Sequence, residues 1–540
     1  MVNHVYNCYT NTNHQERILS MIRIKEYYKN NTIYIVFTYI FTFFLICSFI
    51  FGHGDGFGSF TRLLLTLFVT AAITPVTAYI IIKLSNISIT TKKSSNSILD
   101  FLYQHTFFYT IAIFLMQLPI FLSFYPGICY YDVGVQVEQY ESGLFITNHP
   151  LLHTLFMGFF KNLFENPNTG YAIATIIQMI IVNTIMAYAI SFLYKKTKNI
   201  LLCTISMLFY GLFPVNSLLT ISTTKDILFA AFTLVFFIDC LQFLENENLT
   251  IFIYFRIILN AVLMLLFRNN ALYAFIPAFI IILLMKILKK EPLKPTLLLF
   301  VFTFLIFFGA NKALTISLNA TNGSIKEMMS IPAQEQARIY LLTDNEEDKN
   351  LILSYIAEPE TYNYYLSDAI KQQLPFEIWE SKCKYFLLHS AILNLKYPII
   401  CIDAVLYNTQ GYWDLFHSPY QSDHYFLSTT SYRGGAVFDS KCQALADIYV
   451  NLFHVTEEYQ HNPFAVLFLN SGIYIWLMLF CLVKSIHTKN RQLLFSLLFP
   501  FFYLLTLCLG PGAIIRYTFV YILMVPVLVG TFFENAKRTE

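Results

Sequence analysis

Residues 125–154 read YPGICYYDVGVQVEQYESGLFITNHPLLHT, a polar stretch that lies between long apolar runs of the chain. The dipeptide Pro126–Gly127 predicts a turn near its start. Towards its end, Pro150 disfavours helical backbone at the preceding residue and suits the first turn of a new helix. The stretch is therefore predicted to be a short polar element that is bounded by two breaks and separates two apolar segments.

A short helix is predicted between the two breaks, because Asp132, Gln136 and Gln139 recur at helical spacing and would share one face. A polar helix that bears a carboxylate and is held at a membrane surface is where we expect chemistry. The alternative is a solvated loop whose polar residues only keep it out of the lipid. A motif of this kind is a hypothesis until its structural context is known.

The composition is that of a membrane protein. The chain has 540 residues, of which 56% are hydrophobic and 13% are charged, whereas soluble domains carry about 25% charged residues. A net charge of +2 without a dense basic tract argues against a nucleic-acid partner. The 10 cysteines are scattered and form no CxxC pair, so the sequence supports neither a zinc motif nor a redox motif.

Apolar runs along the chain indicate about twelve membrane helices, each of which needs about 20 mostly apolar residues. The predicted fold class is therefore an all-α, polytopic membrane protein, and the lipid bilayer is its first predicted partner. The runs lie at 33–52, 60–84, 106–124, 170–194, 200–219, 226–243, 251–267, 271–288, 296–315, 463–483, 492–509 and 513–532.

Positive charges in the loops predict how these helices are oriented, because cytoplasmic loops carry an excess of Lys and Arg. Arg23, Lys25 and Lys29 precede the first span and place the N-terminus in the cytoplasm. Among the segments predicted to be cytoplasmic, only the loop at 245–250 is acidic rather than basic. Both termini are therefore predicted to be cytoplasmic, and residues 125–154 are predicted to lie on the opposite side of the cell membrane.

One large insertion interrupts the membrane helices on that same, extracytoplasmic side. It is predicted to be small and mostly helical, with helical patches at 325–343 and 381–395. Residues 151–165 are too few to span a bilayer and are predicted to form an interfacial helix lying along it. The predicted organisation is a cytoplasmic segment 1–32, a membrane domain 33–315 with an external catalytic loop 125–169, an extracytoplasmic insertion 316–462, C-terminal membrane helices 463–533 and a cytoplasmic tail 534–540.

Three cations are predicted at the outer ends of separate membrane helices, where charged residues are costly and usually mark function or pairing. They are Lys225, Arg268 and Arg516. The alternative for Lys225 is a helix start capped by a threonine, with Asp226 complementing the helix dipole. The alternative for the two arginines is snorkelling of their charged groups to the membrane surface.

A cationic rim on an apolar groove between helices is what a polyprenyl-phosphate donor would require. Lys and Arg hold phosphate through charge-assisted hydrogen bonds, which are bidentate for Arg. On the same side of the membrane, Asp132 would be placed to act as a general base on an incoming hydroxyl.

Seven short pieces of the chain carry a resemblance to a known superfamily. In order, they are YPGICYYD–VQ, NHPLLHT, TTKDILFAAF, FRNNALYAF, SIPAQEQAR, NTQGYWDLF and GPGAIIRYTFVYILMVP, spread over residues 120–526. Together they resemble the C-type glycosyltransferases (GT-C), which use lipid-phosphate-linked sugars outside the cytoplasm. More narrowly, the chain is similar to an uncharacterised bacterial branch of membrane proteins related to the glycosyltransferase 39, or protein-mannosyltransferase-like, enzymes.

The resemblance implies about 12 transmembrane helices of GT-C type, with interfacial helices in the first large external loop. It implies an inverting glycosyltransferase (a hexosyltransferase) of the bacterial cell envelope, with a polyprenyl-phosphate sugar donor and a saccharide, lipid or protein acceptor. In this reading Asp132 is the general base, and the three cations bind the leaving phosphate. Sugar or acceptor would be oriented by Gln136, His149, Gln334, Gln336 and Tyr517.

The sequence departs from the resemblance at the acidic position, because many of these enzymes have an Asp-Glu pair there and Asp132 is followed by Val133. No cofactor is certain, and a divalent metal is left open, with Asp132, Glu138 and His149 as candidate ligands. Two other functions also stay open. One is a transporter or flippase for a lipid-linked saccharide, and the other is a polysaccharide polymerase.

Overall fold

A computed structural model describes residues 29–54, 56–87, 104–245, 251–417, 435–453 and 463–534. The predicted cytoplasmic segment 1–32 therefore lies mostly outside the described residues, and so does nearly all of the predicted tail 534–540. Within the described ranges the regular structure is helical, and β-pairing is limited to isolated bridges such as Ile128 with Ser222.

The described residues form a series of α-helices. In chain order they are α1 (Thr32–Gly52), α2 (Phe60–Ser85), α3 (Thr106–Ser123), α4 (Tyr131–Ser142), α5 (Leu151–Asn162), α6 (Pro167–Thr197), α7 (Ile200–Leu212), α8 (Pro214–Thr220), α9 (Lys225–Glu245), α10 (Ile251–Phe267), α11 (Ala271–Leu288), α12 (Lys294–Ser317), α13 (Ser330–Leu342), α14 (Glu346–Leu353), α15 (Asp368–Gln372), α16 (Phe376–Lys396), α17 (Pro398–Trp413), α18 (Gln443–Phe453), α19 (Pro463–Phe468), α20 (Ser471–His487), α21 (Arg491–Cys508) and α22 (Phe519–Glu534). Three 3₁₀ segments, Ile325–Met329, Pro359–Thr361 and Ile515–Thr518, complete them.

The chain is a helical, multi-pass membrane protein. Among the described residues, 10 helices are long and apolar enough to cross a bilayer, and the count rises to 12 if each of two bent helix pairs is one span. One bent pair, α7 with α8, occupies the predicted span 200–219. The predicted span 251–267 is the apolar helix α10, which has 17 residues and is not among these 10 helices.

The predicted span 200–219 is a broken helix rather than a straight one. The axes of α7 and α8 differ by 54°, and the break falls between Phe213 and Pro214. Proline disfavours helical backbone at the residue before it, and Phe213 accordingly has an extended conformation with ψ of 122°. Because Pro214 lacks an N–H, it is tolerated at the first position of the new helix.

Helix α9 lies at the centre of the bundle and is buried along most of its length. It packs against α6, α10, α21 and α22, so the residues at its N-terminal end are surrounded by several other elements. Helices α1 and α2 lie to one side, where Phe37 and Phe41 contact Trp476 of α20. The ends of α9, α10 and α22 supply the candidate site.

A short strap, residues 321–324, joins the segment after α12 to the loop between α4 and α5. The backbone N–H of Thr321 donates to the carbonyl oxygen of Phe145 at 2.9 Å. The carbonyl oxygen of Thr321 in turn accepts from the backbone N–H of Thr147, also at 2.9 Å. The N–H of Ser324 donates to Oδ1 of Asn148 at 3.1 Å. The strap therefore positions the residue that follows Asn148, which is His149.

Replacing Gly323 in this strap with alanine is expected to destabilise the protein. A Cβ at this position would overlap with Oδ1 of Asn148 and lie 3.2 Å from its backbone nitrogen. Relief of such overpacking typically costs about 1–3 kcal/mol. We expect a lower thermal unfolding temperature in detergent for Gly323→Ala than for wild type.

The control is Gly309→Ala in α12, because nothing lies within 4 Å of a Cβ built at Gly309. Alanine is also the better helix former by about 1 kcal/mol, so this variant should keep or raise the unfolding temperature. Equal unfolding temperatures for Gly323→Ala and wild type would contradict a tight strap.

Candidate functional site

Helix α4 presents its polar face to the protein, as the spacing of Asp132, Gln136 and Gln139 predicts. Gln136 and Gln139 are buried, and the side chain of Asp132 is 24% exposed. Asp132 lies in the first turn, where a carboxylate is stabilised by the partial positive charge of the helix N-terminus. The helix ends at Gly143, whose φ of 69° is the left-handed conformation that suits glycine.

Asp132 is held by two of the three predicted cations. Its Oδ2 accepts a hydrogen bond from Nζ of Lys225 at 3.0 Å and another from Nη2 of Arg516 at 3.2 Å. Lys225 is the first residue of α9, and Arg516 lies in the 3₁₀ segment before α22. Residues that are far apart in sequence therefore meet on one carboxylate oxygen.

A second carboxylate, Asp226, brings in the third cation. Its side chain is 1% exposed and forms an ion pair with Arg268, which is itself only 7% exposed. Oδ2 of Asp226 lies 3.5 Å from Nε of Arg516 and accepts a hydrogen bond from Oγ1 of Thr224 at 3.1 Å. We call these five residues the charged cluster: Asp132, Lys225, Asp226, Arg268 and Arg516.

Aromatic rings support the two arginines of the charged cluster. The guanidinium of Arg268 lies 4.5 Å from the ring centre of Tyr517, and that of Arg516 lies 5.3 Å from the same ring. Arg516 also lies 4.6 Å from the ring centre of Tyr130. Both guanidiniums are buried against protein groups, so the alternative that they snorkel to the membrane surface is wrong.

His149 borders the cluster and supplies a hydrogen-bond donor. Its Nδ1 lies 3.2 Å from Nζ of Lys225, and because an ammonium can only donate, Nδ1 must accept. Burial lowers the pKa of His149 to about 4, and the charge of Lys225 lowers it as well. At neutral pH the ring is therefore neutral, with its proton on Nε2, where it can donate to a ligand.

Asp132 is ionised at neutral pH. Burial would raise its pKa, but the charges of Lys225 and Arg516 outweigh burial and hold the pKa well below its usual range. A carboxylate that is paired in this way is a stable anion but a weak base. The basicity of the Asp132 carboxylate therefore depends on whether Lys225 and Arg516 both stay hydrogen-bonded to it.

Gln136 fastens two helices together, although it was predicted to orient a substrate. Its Oε1 lies 2.9 Å from Nδ1 of His153, and its Nε2 donates to Oγ1 of Thr154 at 3.1 Å. The side chain is buried and its amide is used in these contacts. Its side chain therefore holds α4, the helix that carries Asp132, against α5.

Gln334 and Gln336, also predicted to orient a substrate, lie buried on α13 and outside the charged cluster. Gln334 donates to the backbone oxygens of Asn363 and Tyr364. Gln336 donates to Oδ1 of Asn394 at 3.4 Å. Both amides therefore connect segments of the insertion to each other, because glutamine satisfies backbone and side-chain groups in a buried core.

The structure does not assemble the candidate metal ligands. No group of three or more His, Cys, Asp or Glu side chains that could hold a metal ion occurs in the part of the chain that the structure describes. Asp132, Glu138 and His149 therefore do not form a three-residue metal site, and Glu138 lies exposed on α4.

Sequence reasoning identified the three cations and Asp132 but missed two members of the site. Asp226 was read as a complement to the helix dipole, although it bridges Arg268 and Arg516. The ring of Tyr130 lies against Arg516, a contact that the sequence does not predict. The sequence signal for Asp226 was a carboxylate next to a lysine at the start of an apolar run.

Stability is expected to fall as the pH is lowered from 7 to 4, partly because of His149. Its pKa is about 4 in the folded protein and 6.5 when unperturbed. At pH values between about 4 and 6.5, His149 is protonated in the unfolded chain but neutral in the folded chain. Lowering the pH through this range therefore favours unfolding. We expect His149→Gln to lose thermal stability less steeply over this range than wild type.

A second histidine provides the internal control for that measurement. Burial lowers the pKa of His153 to about 3, so it contributes its own loss of stability in both proteins. As the pH is lowered from 7 to 4, the unfolding temperature should fall in both proteins. It should fall more steeply in wild type than in His149→Gln, so that the two curves approach each other. Parallel curves would contradict the neutral, buried state of His149.

The fold and the site define a multi-pass helical membrane protein with a charged cluster where the ends of several helices meet. Residues 140–540 match the model of DUF6020, a family of unknown function, and the chain belongs to this family. The match covers Lys225, Arg268 and Arg516 and begins after Asp132. No curated protein and no solved structure matches the chain.

Proposed function

We propose that the protein is a membrane glycosyltransferase of GT-C type that transfers a sugar from a polyprenyl-phosphate donor. The acceptor is a saccharide, a lipid or a protein outside the cytoplasm, at the plasma membrane of a bacterium. The observation that carries the proposal is that one cluster contains three cations and a partly exposed carboxylate. The cations supply groups that can bind a phosphate, and the carboxylate supplies a base.

The charges suit the chemistry of a phosphate leaving group. Lys225 and Arg516 both donate to Asp132, which is the partly exposed carboxylate of the cluster. As the bond between the anomeric carbon and the phosphate oxygen breaks, these cations offset the negative charge that builds on the phosphate. Asp132 accepts the proton of the acceptor hydroxyl as its oxygen attacks the opposite face of the sugar, which inverts the anomeric centre.

The membrane helices suit a lipid-linked donor. Lys225 begins α9, and Arg516 lies in the 3₁₀ segment that leads into α22. The segments Lys225–Phe243 and Ile515–Phe532, which begin at or next to these two cations, are apolar and long enough to span a bilayer. A phosphate held at these helix ends would lie at the level of lipid head groups, with its polyprenyl chain beside apolar helices. The neutral His149 would donate its Nε2–H to a sugar or phosphate oxygen.

The test uses purified protein in nanodiscs that contain one of a panel of radiolabelled polyprenyl-phosphate sugars. The measured quantity is the lipid phosphate that is released from the donor. We expect turnover with one donor and an inverted product. Exposed Glu165, in the loop after α5, supplies a control variant, because Glu165→Gln removes one carboxylate outside the charged cluster. Absence of turnover with every donor and acceptor class would overturn the proposal.

A transporter for a lipid-linked saccharide is the second candidate. It is favoured by the break between α7 and α8, because transporters form their sites from interrupted membrane helices. The same nanodisc preparation distinguishes the two, since a transporter moves the donor across the bilayer without releasing lipid phosphate. A polymerase of lipid-linked oligosaccharides would release lipid phosphate and yield products of increasing length.

A further inference from the structure

The two carboxylates of the charged cluster are held very differently. Asp226 is enclosed, and it contacts Arg268, Arg516 and Thr224. Asp132 lies at the exposed edge, and its two cations both contact a single oxygen, Oδ2. Of the two, Asp132 is therefore the carboxylate that can leave the cluster while the rest of it stays paired.

The charge count of the cluster leaves room for one more anion. The cluster has three cations and two carboxylates, so its formal net charge is +1. The cations are Lys225, Arg268 and Arg516, and the carboxylates are Asp132 and Asp226. Nε of Arg268 is buried and has no hydrogen-bond partner among the described residues. A phosphodiester carries a single negative charge and would bring the sum to zero.

We propose that Asp132 occupies the phosphate position of the donor in the resting protein, and that the donor's phosphodiester displaces it from Lys225 and Arg516. The carboxylate then becomes free to act as the base. The identity of the anion as a lipid-linked phosphate rests on the proposed function. The displacement itself rests on the geometry of the cluster.

This exchange links base strength to donor binding. While Lys225 and Arg516 hold Asp132, the pKa of its carboxyl stays well below its usual range. Once the phosphodiester takes these cations, their effect on Asp132 weakens and the carboxylate becomes a stronger base. A hydroxyl that arrives before the donor would therefore meet a carboxylate that is still paired with its cations.

The transfer step is balanced within the cluster. The acceptor oxygen bonds to the anomeric carbon, its proton goes to Asp132, and the bond from carbon to phosphate oxygen breaks. The lipid leaves as a monophosphate with one more negative charge, which Lys225 and Arg516 face. Because Asp132 is neutral at that point, the formal charge of cluster plus ligand stays at zero.

The test is direct binding of a long-chain prenyl monophosphate to protein in nanodiscs, without sugar or acceptor. If Asp132 competes with phosphate, Asp132→Asn should bind the lipid at least about tenfold more tightly than wild type. Asp132→Ser is a second neutral variant in case the first fails to fold. Equal or weaker binding by a folded neutral variant would overturn the proposal.

Two comparisons sharpen the result. Glu165→Gln removes one negative charge elsewhere and should change the affinity by no more than about twofold at physiological salt, where distant charges are screened. Inorganic phosphate is tested in parallel, and tightening for that anion alone would overturn the assignment to a lipid phosphate. Tighter lipid binding without any sugar transfer would support the displacement and count against the proposed function.

Discussion

Replacing Asp132 with asparagine is expected to lower the rate of sugar transfer by about 10²–10⁴-fold, the usual contribution of a positioned base. Asparagine has nearly the same shape but cannot accept the proton of the acceptor hydroxyl. If Asp132 also competes with the donor's phosphate, the KM for the donor should not rise and the loss should fall on kcat. Steady-state kinetics with the donor identified by the panel would measure both quantities.

The inserted and folded state of Asp132→Asn must be checked by its unfolding temperature beside wild type and Glu165→Gln. An unchanged transfer rate in a folded Asp132→Asn variant would remove Asp132 from the base role. A loss expressed mainly as a higher KM would instead make Asp132 a residue that positions Lys225 and Arg516.

Replacing Arg268 with alanine is expected to cost about 3–5 kcal/mol of stability, because it leaves the buried carboxylate of Asp226 with only the longer contact to Arg516 as an ion pair. Arg268 is the ion-pair partner of Asp226, and its guanidinium also lies over Tyr517. Chemical denaturation in detergent would measure the loss. The exposed Arg62 at the start of α2 provides the matched control, and Arg62→Ala should change stability by no more than about 1 kcal/mol.

A double variant separates the buried charge from general damage to packing. If the cost arises from the charge of an incompletely paired Asp226, then Asp226→Asn combined with Arg268→Ala should recover part of the stability lost by Arg268→Ala alone. A double variant that loses the sum of both single losses would show that the pair is not energetically coupled.

The membrane helices could be predicted closely because apolar runs of helix length are a local property of the sequence. The runs at 33–52 and 60–84 correspond to α1 and α2 within two residues at each end. Hydropathy alone missed the break at Pro214, because both halves of the run are apolar. The proline was visible in the sequence, but counting apolar residues ignores its effect on the backbone.

The site could be predicted in part, because charges at the ends of apolar helices are conspicuous. Lys225, Arg268 and Arg516 were identified in this way, and the structure brings all three together. Their partners could not be predicted, since Asp132 and Arg516 are separated by 384 positions in the sequence. Gln136 was misjudged because a polar residue in a helix looks the same in sequence whether it faces a ligand or a core.

The strap at residues 321–324 makes the insertion and the charged cluster parts of a single linked system. The strap holds Asn148, the neighbouring His149 contacts Lys225, and Lys225 holds Asp132. A ligand that moves the strap would change the affinity of the cluster for an anion. By thermodynamic reciprocity, an anion bound at Lys225 would change the affinity of that ligand by the same factor. Ligand binding at the insertion and anion binding at the charged cluster would then be coupled through a connection of four residues.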